Sequence, residues 1–375
     1  MTMFTVVHTP AEDWAHGAQA CADGLRSGLG DATGRNVLGF VYVTDYLADD
    51  VQNILTYLTN KTGIVHWAGT VGIGISATRQ EYFDRPAIAV MAVELPEGGF
   101  CTVPTLSEQA ETLPPALREW IAQASPVFGI VHADGTNPNT PDLIGTFAQT
   151  SGCFLVGGLT ASRRSNYQIA DRLTGGGVSG VLFASRVEVA TGLSQGCSPI
   201  GPSHVVSDCV DNVIIGIDGR RALDVFKDEI GDVLARDLNR VSGYIHAAFP
   251  IEGSDTGDYL VRSLVGIDPA QGWLAVGCDV EAGARVMFVR RDPQTAKADF
   301  NAMLNRLKDR LPAPPKGGVY YSCIARGPDM FGAEGREVAM IHDVFGEFPL
   351  IGFYANGEIS NDRLYGYTGV IALFV

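Results

Sequence analysis

Positive charge is scarce in this chain. Its 27 Lys and Arg face 42 Asp and Glu, giving a formal net charge of −15. An acidic surface without a basic block repels phosphate backbones, so no nucleic-acid partner is expected. Long apolar runs are also missing. None reaches the roughly 18 residues of a spanning helix. Met1-Thr2-Met3-Phe4 lacks the basic start and small-residue cleavage site of a leader peptide. These absences lead to the expectation of a cytoplasmic protein with no membrane partner.

Paired cysteines are absent too. Seven cysteines stand at 21, 101, 153, 197, 209, 278 and 323, an odd number at wide spacing with no Cys-x-x-Cys. That excludes a disulfide framework, a zinc knuckle and covalent haem attachment from the expectations and suits a reducing compartment. Gly72-Ile73-Gly74 follows a strand but opens no helix. Ser162 and Ser322 sit at loop positions with no base named beside them. The chain is therefore read as having no catalytic residues, no metal site and no enzymatic activity.

What the chain has is apolar residues and glycine. It is 46% hydrophobic and 18% charged, which reads as a packed globule. Its 45 glycines exceed the usual share of about 7%. Many of them punctuate a pattern that occurs three times. Each copy is an apolar run, a helix-like stretch, a second apolar run and then glycine beside polar residues. Copy one spans 37–70, copy two 127–158 and copy three 319–352, and a further apolar strand follows each at 87–95, 178–184 and 369–375. Repetition at this scale is the mark of one structural unit used again.

The rest of the chain reads as follows. Thr9-Pro10-Ala11-Glu12 resembles a helix start, with Thr9 as the cap. Pro96, Pro104, Pro114 and Pro115 read as a connection, and residues 196–207 as a domain junction. Strands at 211–217, 244–249, 260–265, 273–278 and 284–290 have hairpin-like spacing, which demands antiparallel pairing. A helix opens at Pro293. The expected fold is α/β with α+β character: two similar modules, 1–205 and 206–375, with mixed sheets covered by helices and a ligand cleft between them. The chain's length of 375 residues suits two domains.

Two stretches resemble the FIST family. In the first half these are Gly157-Gly158-Leu159-Thr160-Ala161 and Gly177-Val178-Ser179-Gly180-Val181. In the second half they are Asp258-Tyr259-Leu260-Val261-Arg262, Gly266-Ile267-Asp268-Pro269, Arg290, Ser322-Cys323-Ile324-Ala325-Arg326-Gly327 and the run from Gly352 to Ile359. The resemblance implies FIST N-terminal and C-terminal modules and a sensory, small-ligand-binding role in intracellular signal transduction, with an amino acid as one ligand. Some bacterial relatives are haem proteins that sense nitric oxide and act on a histidine kinase. No output segment is read in this chain, so a separate signalling protein such as a histidine kinase is the expected partner.

The ligand residues read on this basis are Arg326, Asn356, Glu358, Tyr354 and Cys323 from the second half, and Thr160, Arg163, Gly157 and Gly158 from the first. Arg326 suits a carboxylate and Glu358 an ammonium group. Gly157 and Gly158 suit a backbone nest for an anion. The alternatives are structural: Arg326 in a salt bridge with an acid such as Glu358, Cys323 as a small buried hydrophobe, and the Gly-Gly as a tight turn. A haem-binding nitric oxide sensor is the second reading, with His246 as its axial ligand ahead of His66 and His132. A protein-interaction module without a ligand is the third.

Overall fold

The computed structural model describes residues 3–108, 113–251 and 257–375; Met1 and Thr2, read above for a leader, lie outside them. The threefold pattern of the sequence is a threefold pattern of the fold. Repeat one is β1 (Phe4–Pro10), α1 (Trp14–Leu29), β2 (Val37–Thr44), a 3-10 turn (Asp45–Asp50), α2 (Val51–Thr62), β3 (His66–Gly72), a hairpin of β4 (Gly74–Ala77) and β5 (Gln80–Phe83), and β6 (Ala87–Glu94). Repeat two has the same order: β7 (Phe100–Leu106), α3 (Pro115–Ala124), β8 (Phe128–Ala133), α4 (Thr140–Ser151), β9 (Phe154–Leu159), the hairpin β10 (Gln168–Ala170) and β11 (Arg172–Thr174), and β12 (Val178–Phe183).

Repeat three opens with β13 (Val189–Ser194) and is then interrupted. The inserted segment carries β14 (Cys197–Pro199), β15 (His204–Val210), β16 (Val213–Ile217), β17 (Arg220–Arg221), α5 (Ala222–Ala235), a 3-10 turn (Leu238–Val241), β18 (Ile245–Pro250), β19 (Tyr259–Asp268), β20 (Trp273–Val276) and β21 (Arg285–Arg291). The repeat then resumes with α6 (Pro293–Arg310), β22 (Gly317–Cys323), α7 (Gly327–Phe331), α8 (Arg336–Phe345), β23 (Leu350–Ala355), the hairpin β24 (Glu358–Ser360) and β25 (Arg363–Tyr365), and β26 (Gly369–Phe374).

Every repeat pairs its first two inner strands in parallel and lays its last strand antiparallel on the first, giving β6-β2-β3, β12-β8-β9 and β26-β22-β23. The hairpins are exchanged in a ring. Hairpin β4–β5 extends the third sheet at β23, β10–β11 extends the first at β3, and β24–β25 extends the second at β9. The result is α/β, with three mixed sheets of six strands each.

Local sequence explains these elements. The inner strands are buried along nearly their whole length, as Val-Leu-Gly-Phe-Val-Tyr-Val-Thr in β2 illustrates, because a sheet covered on both faces takes continuous apolar runs. One face of each sheet joins a shared core containing Phe40, Phe128, Val156, Tyr321, Phe353 and Val370. The other faces of the first two sheets pack on Cys21, Leu25, Ile54 and Leu58 and on Leu143, Ile144 and Phe147. One glycine recurs in each second parallel strand. A Cβ on Gly69, Gly157 or Gly352 would stand 1.8, 1.7 or 1.7 Å from the carbonyl oxygen of Val41, Val131 or Tyr320. The parallel strands approach each other only because that atom is missing.

The chain forms two compact units. The first holds the described residues of Met1–Ser194, Asn301–Leu364 and Thr368–Val375, and the second those of Gln195–Phe300 and Tyr365–Tyr367. The sequence halves 1–205 and 206–375 are cut differently, since copy three packs with copies one and two. The second unit is an antiparallel sheet in the order β14-β21-β15-β16-β20-β19-β18, and β18 also pairs with β21, so the sheet closes on itself. Helix α5 fills its core, with Phe226 edge-on to Phe288 at 4.8 Å.

Three local expectations are corrected. Thr9 and Pro10 end strand β1, and the first helix is capped instead by Asp13, whose side chain accepts from the His16 N–H. The proline-rich connection contains strand β7, which tolerates Pro104 because it is an edge strand. The junction region 196–207 holds β14 and the start of β15. Among the described residues no helix is long and apolar enough to cross a membrane.

Candidate functional site

The C-terminal ends of parallel strands are where an α/β sheet leaves room for a ligand. In repeat two that room is open. A cleft of about 390 Å³ is lined by Asp134, Thr136, Asn166, Tyr167, Leu173, Thr174 and Gly175. Asp134 follows β8 directly. Asn166 and Tyr167 come from residues 160–167, a loop that is much longer than Ile73 or Asn356-Gly357 at the same place in the other repeats. Asp134 is 6% exposed and holds its own turn together. Its Oδ1 accepts from the N–H and hydroxyl of Thr136 at 2.9 and 2.7 Å and from Asn166 Nδ2 at 3.5 Å, and Oδ2 accepts from the Gly176 N–H at 3.1 Å. Asn166 Oδ1 is buried and accepts no hydrogen bond. The cleft is therefore lined by a carboxylate, an amide and a tyrosine.

The far end of the same loop is tied to repeat one. Arg163 donates to Asp45 through its backbone N–H, Nε and Nη2 at 2.9, 2.8 and 2.9 Å, and through Nη1 to Asp84 at 3.0 Å. Burial pushes the Asp45 carboxyl up, but the hydrogen bonds from Arg163 outweigh it and hold the group below its ordinary value. Thr160 is buried, and its hydroxyl meets that of Thr70 at 2.7 Å. Thr160 and Arg163 thus brace the loop that walls the cleft.

In repeat three the corresponding region is filled with side chains. Glu337, in the first turn of α8, is wholly buried. Its Oε1 accepts from Tyr320 at 2.6 Å, Ser322 at 3.0 Å and Arg326 Nε at 2.8 Å, and its Oε2 accepts from the Gly327 N–H and the Tyr354 hydroxyl, both at 3.3 Å. Two further carboxyls are buried in repeats one and three. Glu81 accepts from the N–H groups of Gly335 and Val338 at the start of α8, and Glu358 accepts from the N–H and hydroxyl of Thr368. Burial, helped by the nearby charge of Glu337, pushes Glu81 up to about 7. Burial pushes Glu358 up to about 8, against the pull of Thr368 and Arg326.

Sequence comparison places this architecture. A FIST N domain model matches residues 37–220 and a FIST C domain model residues 222–361. The chain belongs to the FIST family. Its domains are linked to sensory signal transduction. An uncharacterised protein of Mycobacterium tuberculosis (strain H37Rv) is 34% identical over 241 residues, covering 60% of this chain and 61% of that protein. An uncharacterised protein of Mycobacterium bovis is 31% identical over 252 residues, covering 64% and 63%. The match thus spans about three fifths of each relative's length.

Within this FIST chain the residues singled out from sequence fall into distinct places. Arg326, Tyr354, Cys323 and Glu358 gather in repeat three, all buried. The acid bonded to Arg326 is Glu337, on α8, and not the Glu358 that sequence suggested. Asn356 is exposed, and its N–H donates to the Leu159 carbonyl at 3.1 Å. Gly157 and Gly158 form no open nest. They lie inside β9, paired with Val131 and His132 of β8 on one side and with Ile359 and Glu358 of β24 on the other.

His246 lies in β18, 1% exposed, with its ring 4.4 Å from that of Tyr367. Burial pushes it down to about 4, so the imidazole is neutral. Both ring nitrogens are enclosed by protein atoms, so the position an iron needs is already occupied and the residues as folded do not fit a porphyrin. His66 bonds to Asp171 at 3.2 Å, and His132 is fully buried. Among the described residues no group of three or more His, Cys, Asp or Glu is placed to hold a metal ion.

One motif passed over in the sequence is Gly192-Leu193-Ser194-Gln195-Gly196, a Gly-x-Ser-x-Gly match. Its Ser194 is fully buried at the end of β13, paired with Gly369, and strand β14 follows instead of a helix. The exposed strand-to-helix turn that makes this motif a nucleophile is absent there. Asp134, Asn166 and Tyr167 were missed altogether, since no motif joins an acid after one strand to an amide before another.

Proposed function

We propose that this FIST protein is a cytoplasmic sensor that binds a small ligand in the repeat-two cleft and signals through a separate protein, a histidine kinase being the candidate partner. Binding, not catalysis, is its role in this reading. The observation that carries it is the cleft itself. A recess of about 390 Å³ at a strand end, with a buried acid and an unsatisfied amide oxygen in its wall, has the size and lining of a small-molecule site. A second observation supports a signalling use. The loop that supplies Asn166 and Tyr167 also carries Arg163, bonded to Asp45 of repeat one. A ligand that moves the loop therefore acts on two repeats at once.

A thermal-shift screen of metabolites against the full chain tests this. A ligand at about 100 times its dissociation constant adds roughly 2.7 kcal/mol to stability. Thr136 is exposed at the mouth, so Thr136→Trp fills the cleft without disturbing the core. The stabilisation is expected to vanish in that variant. An equal shift in Thr136→Trp moves the site elsewhere, and no response to any compound leaves the interaction-module reading in place.

A further inference from the structure

The three repeats can be compared corner by corner. At the end of the first parallel strand of repeat one stands a buried acid, Asp45, bonded to Arg163, with the guanidinium 5.2 Å from the Tyr46 ring. In repeat three the buried acid is Glu337, bonded to Arg326, with the guanidinium 5.0 Å from the Phe331 ring. Both repeats therefore pair a buried acid with an arginine beside an aromatic ring, the acid following a strand in repeat one and opening helix α8 in repeat three. Repeat two has the buried acid, Asp134, and the ring, Tyr167. Every hydrogen-bond donor to Asp134 among the described residues is neutral, and no Lys, Arg or His lines the cleft.

We infer that the cleft takes an organic cation, with a guanidinium or ammonium head, on Asp134, the buried acid to which no cation of the chain is bonded among the described residues. The inference rests on the reading of the cleft as the ligand site. Asp134 is mostly withdrawn from water, where a carboxylate favours a charged donor strongly. Its Oδ2 carries one hydrogen bond, leaving a lone pair for another. Tyr167 lines the same cleft, and an aromatic ring is a favourable neighbour for a cation. A hard metal ion is the weaker fit, since it asks for six or more oxygens and this wall has one carboxylate. A cleft of about 390 Å³ leaves room for the chain behind the charged head.

Isothermal titration of the full chain with agmatine, n-butylammonium, butyrate and calcium chloride tests the charge directly. The two organic cations are expected to bind and butyrate is not. Asp134→Asn should weaken the cations at least tenfold, and Tyr167→Leu several-fold. Asp134 also braces its turn, so Tyr167→Leu and Thr136→Trp keep the test open if Asp134→Asn does not fold. Unchanged cation affinity in the folded variants, calcium binding in preference to the amines, or no binding of either cation overturns the inference. Butyrate bound in a manner that Thr136→Trp abolishes overturns the charge assignment and leaves the cleft as a ligand site. Silence from these probes together with an empty metabolite screen removes the ligand reading as well.

Discussion

The hydroxyl of Tyr42 stands 2.8 Å from the hydroxyl of Tyr321, 279 residues away in the chain. It also stands 3.0 Å from Nε2 of His132. The three residues hold the same place in the three repeats, one after the positions where Val41, Val131 and Tyr320 face Gly69, Gly157 and Gly352. Strand ends from all three repeats therefore converge, but on a packed interior, with Phe353 stacked on Tyr42 at 5.4 Å.

Removing the shared hydroxyl strands two buried groups at once. Tyr42→Phe should cost about 1–3 kcal/mol, the usual penalty for leaving a buried polar group unsatisfied. In a double-mutant cycle with Tyr321→Phe the two changes should couple by at least about 0.5 kcal/mol, measured by urea unfolding. Strict additivity would show that the contact carries no stability.

The Arg326–Glu337 pair is fully buried, so losing one partner is far worse than losing both. Arg326→Met leaves the Glu337 carboxylate without its cation and should destabilise by about 3–5 kcal/mol. Adding Glu337→Gln, which removes the stranded charge and keeps an acceptor for Tyr320 and Ser322, should restore part of that loss. The midpoints of the single and double variants decide the matter, and a double variant weaker than the single contradicts the account.

Stability should fall above about pH 6.5 and again below about pH 4.5, because between these values the two carboxyls and the two imidazoles pull in opposite directions. Glu358 and Glu81, raised by burial from 4.5 to about 8 and about 7, hold protons in the folded chain that the unfolded chain has released. The folded state binds more protons between pH 4.5 and those values, so stability is lost as pH rises through that window. His132 and His246, lowered by burial from 6.5 to about 3 and about 4, bind protons first in the unfolded chain, so stability is lost as pH falls below 6.5. Glu358→Gln should flatten the alkaline limb in urea midpoints taken from pH 6.5 to 8.5. An unaltered slope rules Glu358 out as its source.

Alanine at Gly157 meets the Val131 carbonyl oxygen at 1.7 Å, a contact that backbone on both sides prevents from relaxing. Gly69→Ala, Gly157→Ala and Gly352→Ala should each cost more than about 3 kcal/mol or abolish soluble expression, the range reserved for gross packing faults. Gly145→Ala, in helix α4 with only ordinary contact at 3.6 Å, should be neutral or stabilise by up to about 1 kcal/mol. Equal effects at Gly145 and Gly157 would refute the close-approach argument.

The repeat was legible because buried parallel strands read as apolar runs and their crossover helices end at glycine, Gly63 after α2 and Gly152 after α4. The exchanged hairpins were not legible. Strands β10 and β24 have three residues each, too few for a period, and nothing in their sequence says which sheet they extend. Arg326 and Glu358 were visible as unusual charges beside apolar runs. Their environment was not, because Glu337 reads as an ordinary acid in a helix's first turn and Glu81 as one residue of a short hairpin. The cleft was invisible for a related reason. Asp134 looks like any turn aspartate until loop 160–167 is folded over it.

The circular exchange of hairpins has a consequence for how such a molecule comes apart and how it was first assembled. A polypeptide holding one repeat alone would own a β-ribbon with no sheet of its own to extend, and three such polypeptides would satisfy one another as a closed trimer. In the present chain, a protease nick in the linker between β6 and β7 would free neither fragment, because each side of the cut still holds a strand edge belonging to the other.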